Sequence, residues 1–137
     1  MNIRFFMPMQ IPSMTAQQKG INFDARKVYT KKELLAIKQK YLAHLAPHRP
    51  EQPFTGAICL NVDFCYPAGR AHQDGEWKKT KPDTDNAVKL LKDCMTQAGF
   101  WKDDSQVALE TVAKYYTENP QGIYIEVLEL VGGNIIE

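Results

Sequence analysis

Four aspartates within one short stretch hold the most chemically loaded pattern in this chain. Residues 81–107 read KPDTDNAVKLLKDCMTQAGFWKDDSQV and contain two acidic clusters, Asp83/Asp85 and Asp103/Asp104. Like charges held together repel and raise one another's pKa, so such clusters do not form for stability. A divalent cation is the usual remedy, and Mg²⁺ prefers carboxylate oxygens and commonly bridges to a phosphate. Lys89 stands four residues after Asp85, one helical turn on and on the same side. Carboxylates, a metal and a lysine at a helix N-terminus would make a phosphate-handling site. Helix caps and solvated acids are the competing reading, and residue types alone leave both open. An EF-hand loop is excluded. Counted from Asp83, the glycine and glutamate positions of that loop are occupied by Val88 and Cys94. A phosphatase-type DxD would follow a hydrophobic strand, whereas Lys78-Lys79-Thr80-Lys81 precedes this one.

The segment between the clusters has helical periodicity. Ala87, Leu90, Leu91, Cys94, Met95 and Ala98 fall on one face, with Lys89, Asp93 and Gln97 opposite. Asp83 or Asp85 can cap its N-terminus, and Gly99 suits the left-handed position that ends it. A helix of that length spans about 20 Å. Asp103/Asp104 therefore cannot join Asp83/Asp85 by continuing along it. Either the chain turns at Phe100-Trp101-Lys102 and comes back, or the clusters meet through tertiary or subunit packing.

Asp83-x-Asp85-Asn86-x-x-Lys89-x-x-x-Asp93, followed by Ala98-Gly99-Phe100-Trp101-x-Asp103-Asp104-x-Gln106-Val107, resembles the RusA family of Holliday-junction resolvases. The Val28-Tyr29-Thr30-Lys31-Lys32 run resembles the family's upstream region more loosely. The resemblance implies that Asp83, Asp85 and Asp104 bind Mg²⁺, with Mn²⁺ as a substitute, for phosphodiester hydrolysis. It implies that Lys89 offsets charge building on the phosphate. Asp103 would be a partner to the ligands or a further ligand, and Asn86 would orient a carboxylate. Asp93 matches the pattern, but its spacing also fits an ordinary Lys89–Asp93 pair, so it stays outside the catalytic set. Phe100 and Trp101 are expected to pack the turn. The implied activity is paired symmetric nicking of four-way DNA junctions in recombination and repair. The implied assembly is a homodimer, whose two-fold axis suits the two-fold character of a junction. Pro82, where the family can carry an arginine, and the long loop before it are departures that bear on DNA contacts. The rival reading is a non-catalytic junction-binding protein of the same fold. A pure binder gains nothing from an acidic cluster that repels DNA.

The totals describe the vessel for this chemistry. A chain of 137 residues defaults to one domain, here residues 1–137. Cys59, Cys65 and Cys94 are odd in number and form no CxxC pair, which fits reduced thiols in a cytoplasmic setting, bacterial or phage-encoded. His44, His48 and His72 show no HExxH pattern, which argues against a zinc hydrolase. No apolar run reaches membrane-spanning length, no membrane partner is expected, and Met1–Met9 lacks the features of a signal peptide. Net charge is +1, but it is unevenly spread. Residues 1–50 are strongly basic and residues 103–137 strongly acidic. That asymmetry fits a basic DNA-facing surface or plain internal pairing.

Local patterns then give an α+β order, β-α-β-α-β-β, with a mixed sheet and two main helices. Asn2–Met7 reads as a strand, and residues 10–27 as a loop where Lys19, Arg26 and Lys27 face phosphate or solvent. Thr30-Lys31-Lys32-Glu33 is a capping-box signature. The helix it opens should run to about Ala46, with Leu34, Ile37, Tyr41, Leu42 and Leu45 inward. Phe54 to Tyr66 alternates as a half-buried strand; Asp63 would approach the acidic site if that strand ran beneath it, whereas such a residue more often stands on the open face of a sheet. Residues 67–82 read as a flexible basic loop, with Arg70, Lys78, Lys79 and Lys81 around Trp77, suited to DNA contact. Ser105–Tyr116 and Ile123–Leu128, joined by a turn at Glu118–Gly122, read as a β-hairpin, and residues 132–137 as a loose tail.

Overall fold

The alternation centred on Ile58 to Tyr66 becomes the middle of the molecule. A computed structural model describes residues 1–13, 21–22, 27–28, 30–132 and 134–135. In it Ile58–Pro67 forms β4, flanked on both edges by other strands. Ile58, Leu60, Val62 and Phe64 are fully buried on one face, and Cys59 and Cys65 are buried on the other. A strand buried on both faces belongs in the interior of a sheet. Its neighbours are β5 (Val107–Thr117), which runs parallel to it, and β6 (Gly122–Val131), which runs antiparallel. The outer strand β1 (Asn2–Pro8) pairs antiparallel with β6. The sheet order is thus β1-β6-β4-β5, mixed as expected. A Cβ on Gly122 would strike the Met7 carbonyl, so β1 and β6 meet there only because residue 122 is glycine.

The expected hairpin of β5 with β6 does not form. Both strands exist, but β4 lies between them. Pairing on both edges satisfies the backbone groups of β4, whose Ile58, Leu60, Val62 and Phe64 are fully buried. Glu110, Thr111 and Lys114, by contrast, suit β5 to an edge, where charge blunts further pairing. Other short pairs complete the strand set. β2 (Ile21–Asn22) pairs with β3 (Lys27–Val28) within the stretch read as a loop. β7 (Asn134–Ile135) pairs with β6 in the stretch read as a tail. The side chains of Lys19, Arg26 and Lys27 lie outside the described residues.

Two helices cover the Ile58/Leu60/Val62/Phe64 face. α1 (Lys31–Leu45) starts where its capping signature stands, with Thr30 Oγ1 accepting from the Glu33 N–H at 3.0 Å. Leu34, Tyr41 and Leu45 are buried, and Ile37 and Leu42 are half-buried. α2 (Thr84–Ala98) buries Ala87, Val88, Leu90, Leu91, Cys94 and Met95. It ends at Gly99, whose φ of 95° is the left-handed geometry a Cβ would oppose. Phe100 and Trp101 are buried in the turn that follows, as expected.

The indole of Trp101 is satisfied through a relay. Its Nε1–H donates to Thr96 Oγ1 at 2.7 Å, and that hydroxyl donates to the Lys92 carbonyl at 3.0 Å. Replacing Thr96 with Val keeps the shape but strands the indole donor. The expected loss is about 1–3 kcal/mol of stability, read as a lower midpoint in chemical denaturation. An unchanged midpoint would mean that the relay contributes nothing.

Candidate active site

α2 divides the four aspartates. Asp83 occupies its N-cap position and Asp85 its first turn, whereas Asp103 and Asp104 lie beyond its C-terminus. With a rise of 1.5 Å per residue the two clusters are separated by about 20 Å. Among the described residues no group of three or more His, Cys, Asp or Glu side chains stands close enough to hold a metal ion. One chain thus brings Asp83, Asp85 and Lys89 together at one end of α2 and leaves Asp104 at the other.

At the N-terminal end, Asp83 has the backbone of a cap (φ −65°, ψ 151°) but its carboxylate accepts no capping hydrogen bond. Asp83, Asp85 and Lys89 are all exposed. Among the described residues no ion pair joins Lys89 to Asp93. The ion pair on that part of the helix is Lys92 with Glu110 of β5, at 2.9 Å. Two carboxylates and a lysine therefore stand unspent where the positive pole of the helix favours anions. Their hard oxygen donors suit Mg²⁺, which is held by one or two carboxylates together with water and phosphate oxygens.

The far cluster is built differently. Asp103 caps the short 3-10 turn Asp104–Gln106, its Oδ1 accepting from the Ser105 N–H at 2.9 Å. That bond holds the Asp103 carboxyl below its usual range, through the Ser105 backbone first and the Ser105 side chain second. Gln106 closes the box. Its Oε1 accepts from the N–H groups of Lys102 and Asp103 at 3.0 and 3.1 Å. Its Nε2 donates to the carbonyls of Phe54 and Gly56 at 2.8 and 3.0 Å. Asp103 and Gln106 thus form the scaffold of the turn on which Asp104 stands, and both carboxylates are exposed.

The basic loop is laced to the outer edge of β5. Tyr116 N–H donates to the Glu76 carbonyl at 2.8 Å, Gly75 N–H to the Tyr116 carbonyl at 2.8 Å, and Lys78 N–H to the Lys114 carbonyl at 3.0 Å. His72 stacks on Tyr116 at 3.7 Å between centroids and contacts Glu76 Oε2 at 2.8 Å. Backbone donation from Gln73 and then the His72 contact lower the Glu76 pKa. Arg70, Lys79 and Lys81 project into solvent, and Trp77 is 72% exposed, edge-on to Tyr115. Lys78 differs from its neighbours. Its ammonium donates to Thr80 Oγ1 at 2.7 Å and lies 4.8 Å from the Tyr66 ring centroid.

Tertiary structure settles the place of Asp63 and adds Lys114 to the site. Asp63 points away from both helices, accepting from Tyr115 Oη at 3.2 Å, in an open cleft of about 620 Å³ also lined by Phe6 and Tyr124. It is therefore not beneath the acidic end of α2, because it alternates with buried Val62 and Phe64 on the helix side. Conversely, Lys114 of β5 reaches that end. Its Nζ donates to the carbonyls of Thr80 and Pro82 at 2.7 and 2.6 Å. Burial and then Lys78 push its pKa down, while Asp83 pulls it back up.

Comparison with known proteins identifies the family. Residues 5–128 match the family model of endodeoxyribonuclease RusA. The chain is 30% identical over 133 residues to a crossover junction endodeoxyribonuclease, rusA, of Lactococcus phage r1t. That match covers 95% of this chain and 100% of the phage protein. It is 36% identical over 95 residues to the uncharacterized protein YqaN of Bacillus subtilis (strain 168). That match covers 61% of this chain and 66% of YqaN, just under two thirds of its length.

Proposed function

Because the chain belongs to the RusA family of endodeoxyribonucleases, we propose that it resolves Holliday junctions by Mg²⁺-dependent paired nicking, as a homodimer. The observation that carries this reading is the unspent acidic end of α2. Asp83 stands at the cap without capping, with Asp85 and Lys89 exposed beside it. When bound, Mg²⁺ (or Mn²⁺ in its place) would supply a Lewis acid and an activated water for phosphodiester hydrolysis. Asp83 and Asp85 would hold it from one chain, with Asn86 orienting a carboxylate. Lys89 sits one turn along the helix and offsets charge on the phosphate. The N-terminal pole of α2 acts in the same sense.

Asp104 is the third ligand, supplied by the second copy. The separation of the clusters along α2 supports this sharing, since one chain leaves its own set incomplete. In a two-fold dimer, a contact from the near cluster of one chain to the far cluster of its mate is made twice. It yields two equivalent sites, one for each strand to be nicked. Arg70, Lys79, Lys81 and Lys78 form the DNA-facing edge, with Lys78 also pinning the loop.

The direct test is cleavage of an end-labelled four-way junction with Mg²⁺ and with EDTA, beside a linear duplex of the same sequence. Symmetric paired nicks in the junction alone, with metal alone, are the expected result. Equal cutting of the duplex would remove junction specificity. Binding without cutting would favour a non-catalytic junction binder.

A further inference from the structure

We infer that Lys114 is a positioning residue that holds Asp83 and Asp85 in register for a divalent cation. The inference rests on the metal-dependent reading above. Lys114 lies on the helix-facing side of β5, in the same row as Glu110, which pairs with Lys92 of α2. Its ammonium bonds the carbonyls of Thr80 and Pro82, the latter immediately before the N-cap Asp83. The chain thereby enters α2 tied to the sheet, and the backbone carrying both carboxylates is set by that tie.

The electrostatics of this placement are otherwise unfavourable. The ammonium is partly removed from water, stands near Lys78, and lies at the positive pole of α2. No carboxylate forms an ion pair with it among the described residues. The two carbonyl bonds fix where the ammonium stands. The ammonium is offset instead by two carbonyl dipoles and by the nearby charge of Asp83. Groups that orient metal ligands from behind typically matter by about 10- to 100-fold in metal affinity.

The full-length protein with Lys114→Met and Lys114→Arg tests this. Mn²⁺ binding is followed by electron paramagnetic resonance, junction affinity by gel shift in EDTA, and the Mg²⁺ dependence of cleavage alongside. The expected result for Lys114→Met is an Mn²⁺ dissociation constant raised on the order of tenfold. The Mg²⁺ needed for half-maximal cutting should rise in parallel, with junction affinity in EDTA unchanged. Lys114→Arg, which keeps charged donors, should recover most of the loss. Unchanged Mn²⁺ affinity in folded Lys114→Met overturns the inference. So does weakened junction binding with normal Mn²⁺ affinity, which would make Lys114 a phosphate contact. If Lys114→Met does not fold, Lys114→Gln takes its place in the same comparison. A wild-type protein that binds Mn²⁺ but cuts no DNA would overturn the nuclease reading while leaving the Lys114 comparison to be made on metal binding alone.

Discussion

Asp85→Asn is expected to lower junction cleavage on the order of 10³-fold or more, with binding intact or tighter. The size follows from the several kcal/mol that a metal contributes to such a transition state, at about tenfold per 1.4 kcal/mol. The substitution preserves shape, and Asp85 is exposed with no hydrogen-bond partner among the described residues, so the fold has no reason to change. Asparagine remains acceptable in the first turn of a helix, although one favourable charge at the positive pole is lost. Binding should not suffer, because an unmetallated carboxylate repels the DNA backbone and its removal lessens that repulsion. Single-turnover cleavage and a gel shift in EDTA measure the two quantities separately. Cutting at the wild-type rate would show that Asp85 holds no metal.

Mixing two dead variants should restore activity. Asp85→Asn spoils the near cluster and Asp104→Asn the far one. In a mixed dimer with shared sites, one site combines both lesions and the other is wholly wild-type. Random re-pairing makes half the dimers mixed, so nicking should return to about a quarter of the wild-type level. Each variant alone should stay inactive. If each chain completes its own site, the mixture would be as inactive as its components. The same experiment separates nicking from resolution, since a dimer with a single working site should leave nicked junctions rather than paired cuts. It also bears on the rigid frame at Asp103. Asp103 and Gln106 spend their polar groups holding the turn, which leaves Asp104 as the carboxylate free to cross to a partner.

The helices and the placing of the candidate site residues on them were legible in the sequence because their determinants are local. Asp85 and Lys89 stand one helical turn apart, with Asp83 at the cap before them. The apolar stripe from Ala87 to Met95, the Thr30 cap and Gly99 each act within a few residues of themselves, and all stand where the pattern placed them. Alternation likewise marked the strands, because side-chain direction follows the backbone period. What alternation reports is which face is covered, not which strand is the neighbour. The order β1-β6-β4-β5 was therefore decided by tertiary structure, where β4 needed partners on both edges and displaced the local hairpin. The same holds for the site. Asp103 and Asp104 are adjacent, chemically identical and both exposed, and only the hydrogen bond from Ser105 makes Asp103 the cap. Lys114 is distant in sequence from Pro82, and its contact exists only because β5 runs back along α2 to the helix's acidic end. Residue identities determined which groups could act. The return path of the chain decided which of them meet.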